Sequence, residues 1–266
     1  MADMDLDDDY IIARLIPDAP AYVPRWRDAA AGFRAELGPR AELGIPYGSH
    51  EREAFDLFHP EGTARGLAVF VHGGYWLRND RSMWSHLAAG PLARGWAVAM
   101  PSYVLAPEAR ISQITRQIAT AIDAAAARIA GPIRLSGHSA GGHLVTRMLC
   151  ADVADGRAFD GRIERVVSIS GLHDLRPLMQ TSMNPDLRLD LAEATAESAA
   201  LATDIRQVPV CAWVGGSESA AFLDQATMLA DAWPLANVHV DPGKTHFSVI
   251  DALGDPDSVL VRTLLA

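Results

Sequence analysis

The residues with the clearest capacity for chemistry lie in Gly137-His138-Ser139-Ala140-Gly141. An apolar run, Ile133 to Ser136, leads into this pentapeptide, and a helical pattern (Leu144, Val145, Met148, Leu149) follows it at once. Strand, sharp turn and helix around G-x-S-x-G form a nucleophile elbow, in which the serine projects its Oγ from a strained turn. A side chain at 137 or 141 would collide with the neighbouring strand or helix, so the chemistry needs glycine there. The helix start aims the Ala140 N–H at any oxygen that becomes negative beside Ser139.

A serine at its free pKa is a weak nucleophile and needs a base within hydrogen-bond reach. The chain has nine histidines. His246 stands in Asp241-Pro242-Gly243-Lys244-Thr245-His246-Phe247, a loop after the last strand-like run, which fits the chain order serine, acid, histidine. His138 sits inside the turn, where its side chain is expected to point away from the serine Oγ. His72 ends a strand and is expected to hold a loop. The acid should follow a strand between Ser139 and His246. Glu218, reached through Gly215-Gly216-Ser217, is preferred; Asp174, after Gly171-Leu172-His173, is the second choice. Either could orient the imidazole and stabilise its cation. Asp224 falls one turn into a helix and is less free to reach.

The remaining requirement is a set of donors for a developing oxyanion. Val71-His72-Gly73-Gly74-Tyr75-Trp76 ends the first buried strand, and its glycines let the backbone approach a substrate oxygen. The N–H groups of Gly74, Tyr75 and Ala140 are the expected donors; one such donor contributes about 3–4 kcal/mol to a transition state. Tyr75 and Trp76 are expected as an aromatic pocket wall, with His138 beside them. No H-E-x-x-H or zinc-spaced Cys/His cluster is present, and no Walker lysine or G-x-G-x-x-G, so neither a metal nor a nucleotide cofactor is expected. Lys244 is the only lysine, which disfavours Schiff-base chemistry.

These residues need a scaffold, and the periodicity supplies one. Tyr22 to Leu37 has helical spacing, ended by Pro39; Leu43–Tyr47 and Ala54–Phe58 alternate as a short antiparallel pair. From there strands and helices alternate. Gly66–His72, Trp96–Met100, Ile133–Gly137, Ile163–Ser170, Val208–Val214 and Val238–Val240 read as strands. Helices are expected from Arg81 to Ala93 (capped by Asp80), from Ile111 to Ile129, from Ala221 to Trp233 and from Pro256 to Leu265. Residues 1–20 read as a loose leader. Residues 172–205 break the rhythm and suit a lid or pocket wall. The whole chain, 1–266, is expected to be one α/β domain: a mostly parallel eight-stranded sheet with helices on both faces.

Composition narrows the partners. A formal charge of −10 argues against nucleic acid and anionic membranes. The N-terminus is acidic where a signal peptide is basic, and no apolar run reaches membrane-spanning length, so a cytoplasmic protein is expected. Cys150 and Cys211 are far apart and read as buried thiols of a reducing compartment. A small-molecule ester or amide is the expected partner, and a homodimer is left open.

With these motifs in place, the chain resembles the α/β-hydrolase fold, and within it the kynurenine formamidase (arylformamidase) group near the hormone-sensitive-lipase-like esterases. The resemblance rests on His72-Gly73-Gly74-Tyr75-Trp76 paired with Gly137 to His143. It extends to Ser102-Tyr103, Leu105 to Glu108, Ser170 to Leu178, Phe222 and Gln225, and covers about residues 20–260. It implies Ser139 as nucleophile, His246 as base, Glu218 at the acid position and Gly74 and Tyr75 in the oxyanion hole. The formamidases usually show aspartate where this chain has Glu218. The implied activity is hydrolysis of a small ester or aryl formamide through an acyl-enzyme, with no cofactor. A general carboxylesterase or thioesterase without formamidase activity is the alternative, and a non-catalytic binding protein on a hydrolase fold is the alternative of another class.

Overall fold

Val, Ile, Leu, Phe and Ala fill the apolar runs of the chain, and in the computed structural model, which describes residues 6–16 and 18–266, those runs pair into one sheet. The strands are β1 (Ala41–Pro46), β2 (Ala54–Phe58), β3 (Leu67–Val71), β4 (Ala97–Pro101), β5 (Ile133–His138), β6 (Ile163–Ile169), β7 (Val210–Gly215) and β8 (Ala236–Asp241). Their spatial order is β1-β2-β4-β3-β5-β6-β7-β8. β1 and β2 join antiparallel, as does β2 to β4; the other pairs are parallel. Every residue of β3, β4 and β5 is buried, so helices cover both faces of the centre. β8, at the edge, is only partly covered.

Five helices matter for the site: α1 (Ala19–Leu37), α2 (Ile111–Ala126), α3 (Ala140–Arg147), α4 (Ala220–Ala232) and α5 (Val259–Leu265). α2 buries Ile111, Ile114, Ile118, Ile122 and Ala125, the stripe its 3.6-residue spacing marks. α1 starts three residues earlier than the periodicity suggests. Pro20 falls in its first turn, where a missing N–H costs nothing because no partner carbonyl precedes it.

Two expectations for the scaffold differ from the structure. Arg81 to Ala93 is not one helix: Asp80 does cap a turn, accepting from Ser82 N–H (2.7 Å), but the chain makes two 3-10 turns before a helix at Ala89–Ala93. Pro91 has no N–H to donate back to residue 87, which disfavours one continuous helix through it. The stretch read as a loose leader is built into the body over residues 6–16: Asp7, Tyr10, Ile12 and Ile16 are buried. Asp7 accepts from Ser182 N–H (2.7 Å), Ser219 Oγ donates to Asp9 C=O (2.8 Å), and Gln225 Nε2 donates to Tyr10 Oη (3.2 Å). Residues 172–205 fold as short helical turns that bury Leu172, Leu175, Leu178 and Leu187 against the same core.

Candidate active site

The parallel strands bring distant residues to one edge because their ladders run in step to the C-terminal ends. Ser139 N–H donates to Ile169 C=O (2.8 Å), Ser170 N–H to Trp213 C=O (2.6 Å), and Gly216 N–H to Asp241 C=O (2.8 Å). The turns after β5, β6, β7 and β8 therefore lie side by side. Ligand sites form in such crevices beyond the carboxyl ends of parallel strands.

Ser139 occupies the turn between β5 and α3 with φ 57° and ψ −118°, a left-handed conformation that a serine adopts only when its surroundings impose it. Those surroundings are tight. A Cβ on Gly137 would lie 2.1 Å from Gly141 C=O, and one on Gly141 would lie 1.9 Å from Val71 C=O. Glycine at both positions lets α3 start hard against β3, with Ser139 thrown out over the strand ends.

His246 follows β8, and Glu218 follows β7. The two loops are tied by Ser217 N–H to Lys244 C=O (2.9 Å). Glu218 Oε2 meets His246 Nδ1 at 2.6 Å, while its Oε1 accepts from Gly215 N–H (2.8 Å) and Ser170 Oγ (2.5 Å). Both side chains are almost wholly buried. These partners fix the orientation of the carboxylate. It accepts the hydrogen bond from His246 Nδ1–H, which leaves Nε2 free for chemistry. Phe222 meets the His246 ring edge-on, with centroids 4.6 Å apart. Ser139 and His246 line the same cavity, of about 360 Å³.

Asp174, the second choice for the acid, lies elsewhere. It pairs with Arg176 (2.6 Å), and burial acts to raise its carboxyl while the hydrogen bonds and charge of Arg176 outweigh that and hold it below its usual range. Its loop is braced by Gln225, whose Oε1 accepts from the N–H groups of His173 (2.6 Å) and Asp174 (2.8 Å). Asp174 is thus a turn residue with no contact to His246.

On the oxyanion side, the N–H groups of Gly74 and Tyr75 have no acceptor among the described residues, and Ala140 N–H belongs to the first turn of α3, where no intrahelical partner exists. Gly74 and Tyr75 line the cavity with Ser139. The Tyr75 phenol donates to Tyr10 C=O, and burial pushes its pKa up, so it stays a donor.

His138, expected beside the pocket wall, is among the residues that line the cavity. Its Nε2 donates to His246 C=O (2.8 Å) and its ring lies 4.7 Å from that of His246. Burial, then the neighbouring His246, hold its pKa well below the usual value, so it is neutral. Trp76 is not a pocket residue. It is wholly buried behind the turn, edge-on to His143 with centroids 5.2 Å apart. The aromatic wall comes instead from Tyr75 with Trp26 of α1, Trp84 and Phe247. Ile11, Ile12 and Ala13 of the N-terminal segment close one side, and Met183 is what the 172–205 segment contributes. These residues carry no local signal: Trp26 looks like any core residue of an amphipathic helix, and the N-terminal apolar residues are too few to show a period. Only Phe247, next to His246, could have been inferred.

Fold and site together define the class: over residues 68–246 the chain matches the family described as alpha/beta hydrolase fold, and it belongs to that family. It is a hydrolase with esterase and formamidase relatives. The kynurenine formamidase of Danio rerio is 28% identical over 247 residues, covering 87% of this chain and 83% of that protein. A crystal structure from Silicibacter sp. TM1040, named as a candidate thioesterase, is 53% identical, covers 99% of this chain and 100% of that one, and superposes with a TM-score of 0.96. Esterase B from Lactobacillus rhamnosis, at 16% identity and a TM-score of 0.70, shares the fold. Among the described residues no helix is long and apolar enough to cross a membrane.

Proposed function

We propose that the protein is a serine hydrolase that cleaves a small carboxylic ester or aryl formamide through an acyl-enzyme. The observation that carries this reading is the Glu218–His246 contact of 2.6 Å, placed in the same cavity as a strained Ser139. His246 Nε2 accepts the Ser139 proton as Oγ attacks the carbonyl carbon, and Glu218 stabilises the imidazolium. The N–H groups of Gly74, Tyr75 and Ala140 receive the oxyanion. His246 returns the proton to the departing alkoxide or amine. Water, deprotonated by His246, then attacks the acyl carbon and releases Ser139.

The relatives divide over the leaving group. The formamidase relatives favour an aryl amine leaving a formyl group, and four aromatic side chains on the cavity suit a flat substrate. The 53% identical structure, by its name, favours a thioester. Side-by-side turnover of N-formylkynurenine, p-nitrophenyl acetate and a simple acyl thioester, with wild type and Ser139→Ala, separates these. Formamide turnover at high kcat/KM places the enzyme among the formamidases; ester or thioester turnover alone makes it a general esterase. Retained activity in Ser139→Ala overturns the mechanism. A fluorophosphonate probe that leaves Ser139 unlabelled points to a binding protein without turnover.

A further inference from the structure

We infer that the cavity holds an anion-recognition point at Arg78, so that the substrate class is an ester, thioester or amide whose flat or apolar body carries a negative charge. This inference rests on the hydrolase reading and names its substrate class. Among the described residues Arg78 is the only lysine or arginine on the cavity, and no carboxylate lines it; the walls are otherwise apolar or neutral, with Tyr75, His138 and His246 as the remaining titratable groups. Among the described residues nearly every other arginine close to the site is engaged. Arg52 donates to the carbonyls of Tyr103 (2.8 Å) and Asn79 (2.5 Å), Arg81 pairs with Asp56 (2.8 Å), and Arg25 pairs with Asp251 (3.8 Å). The Arg78 guanidinium has no hydrogen bond or ion pair there, on a chain whose formal net charge is −10.

The backbone beneath Arg78 is set. Its N–H donates to Gly74 C=O (3.2 Å), Leu77 N–H donates to the same oxygen (3.0 Å), and Asn79 Nδ2 donates to Gly73 C=O (3.3 Å). A Cβ on Gly74 would lie 3.0 Å from Arg78 Cγ. The turn that presents the expected oxyanion donors therefore also presents the cation, at a separation dictated by the turn. A bound substrate would place its carbonyl at Gly74 and Tyr75 and its charge toward the Arg78 rim. Arg78 is exposed at the cavity rim, where its guanidinium can meet a carboxylate or phosphate with two parallel hydrogen bonds. An acidic protein repels anions at long range, so a local cation is what admits one.

Matched probes test this. Kinetic constants are measured for 4-acetoxybenzoate and 4-acetoxybenzamide, and for acetyl-coenzyme A and the phosphate-free thioester S-acetyl-N-acetylcysteamine, with wild type, Arg78→Gln, Arg78→Lys and Arg27→Gln. Arg27 is exposed on α1 away from the cavity and controls for net charge. Arg78→Gln is expected to lower the charged-over-neutral ratio of kcat/KM about tenfold, mostly through KM, with Arg78→Lys intermediate because it keeps the charge but not the fork. Loss confined to the benzoate pair assigns a carboxylate; loss confined to the thioester pair assigns a phosphate. A ratio that Arg78→Gln leaves unchanged in both pairs overturns the site. Binding of 4-hydroxybenzoate and 4-hydroxybenzamide, followed by the fluorescence of Trp26 and Trp84, needs no turnover. Arg78-dependent preference for the acid without hydrolysis of any ester keeps the anion site and overturns the hydrolase reading; equal binding of the two, with no Arg78-dependent ratio in the thioester pair, overturns the anion site even where esters are cleaved.

Discussion

At the scale of single residues, Glu218 shows how a glutamate is held against His246. Its side chain is pinned by Ser170 Oγ and Gly215 N–H on one oxygen, so the other is held at 2.6 Å from His246 Nδ1. Glu218→Gln keeps the shape and loses the charge that stabilises the imidazolium, so kcat is expected to fall by about 10³–10⁴ with the melting temperature nearly unchanged. Ser170→Ala is the milder companion. Removing one of the bonds that orient the carboxylate should lower kcat about tenfold with KM little altered, read from initial rates. Neither the Ser170 bond nor the neutral His138 against His246 is visible from local sequence, because both depend on neighbouring strands ending in step.

At the scale of elements, the strand–turn–helix unit β5–Ser139–α3 and the N-terminal segment make opposite cases. The first is dictated by contact distance: Gly141→Ala must push its Cβ off Val71 C=O, 1.9 Å away in the unrelaxed backbone, and is expected to destabilise the protein by about 3 kcal/mol or more and to abolish activity, measured by urea unfolding and turnover. The second is held by scattered hydrogen bonds rather than by an apolar period. Gln225 ties it to the body, joining Tyr10 Oη, the His173 and Asp174 amides and Asp174 C=O. Gln225→Leu leaves those buried groups without partners and is expected to cost about 2–4 kcal/mol. It should also raise KM for apolar substrates, because Ile11, Ile12 and Ala13 form part of the cavity wall.

Across the whole molecule, several buried histidines set the response to acid. Burial lowers His72 to about 4, His143 to about 3 and His173 to about 3, and carries His138 down as well. In the unfolded chain these groups titrate near pH 6.5. Between that value and about pH 4 the unfolded chain binds protons that the native state does not, so stability falls as pH falls. Above pH 6.5 the contribution is fully present. Each histidine adds a slope of up to about 1.4 kcal/mol per pH unit in this window. Unfolding midpoints should drop steadily from pH 7 to pH 4, and His173→Gln, where fold is retained, should show a shallower slope; a midpoint flat over that range refutes the assignment.

What the linear chain determines here is the chemistry and the frame. Apolar runs buried on both faces read as central strands, and a serine between glycines at a strand–helix junction reads as a sharp turn, so the candidates Ser139 and His246 and the mostly parallel sheet were legible from residue type and spacing, while the order of the strands was not. The preference for Glu218 was legible from its place after a strand; the choice against Asp174 needed the structure, which puts Arg176 on one carboxylate and His246 on the other. The cavity wall was decided by tertiary structure alone. Trp76 follows the glycine turn in sequence yet turns into the core with φ 58°, while Trp26, Trp84 and the segment around Ile12 arrive from distant parts of the chain. The reason is physical. Backbone turns and strand ends obey local sterics that sequence spells out, whereas which face of a helix or terminal segment closes a pocket depends on how the packed layers meet, and no short-range pattern encodes that.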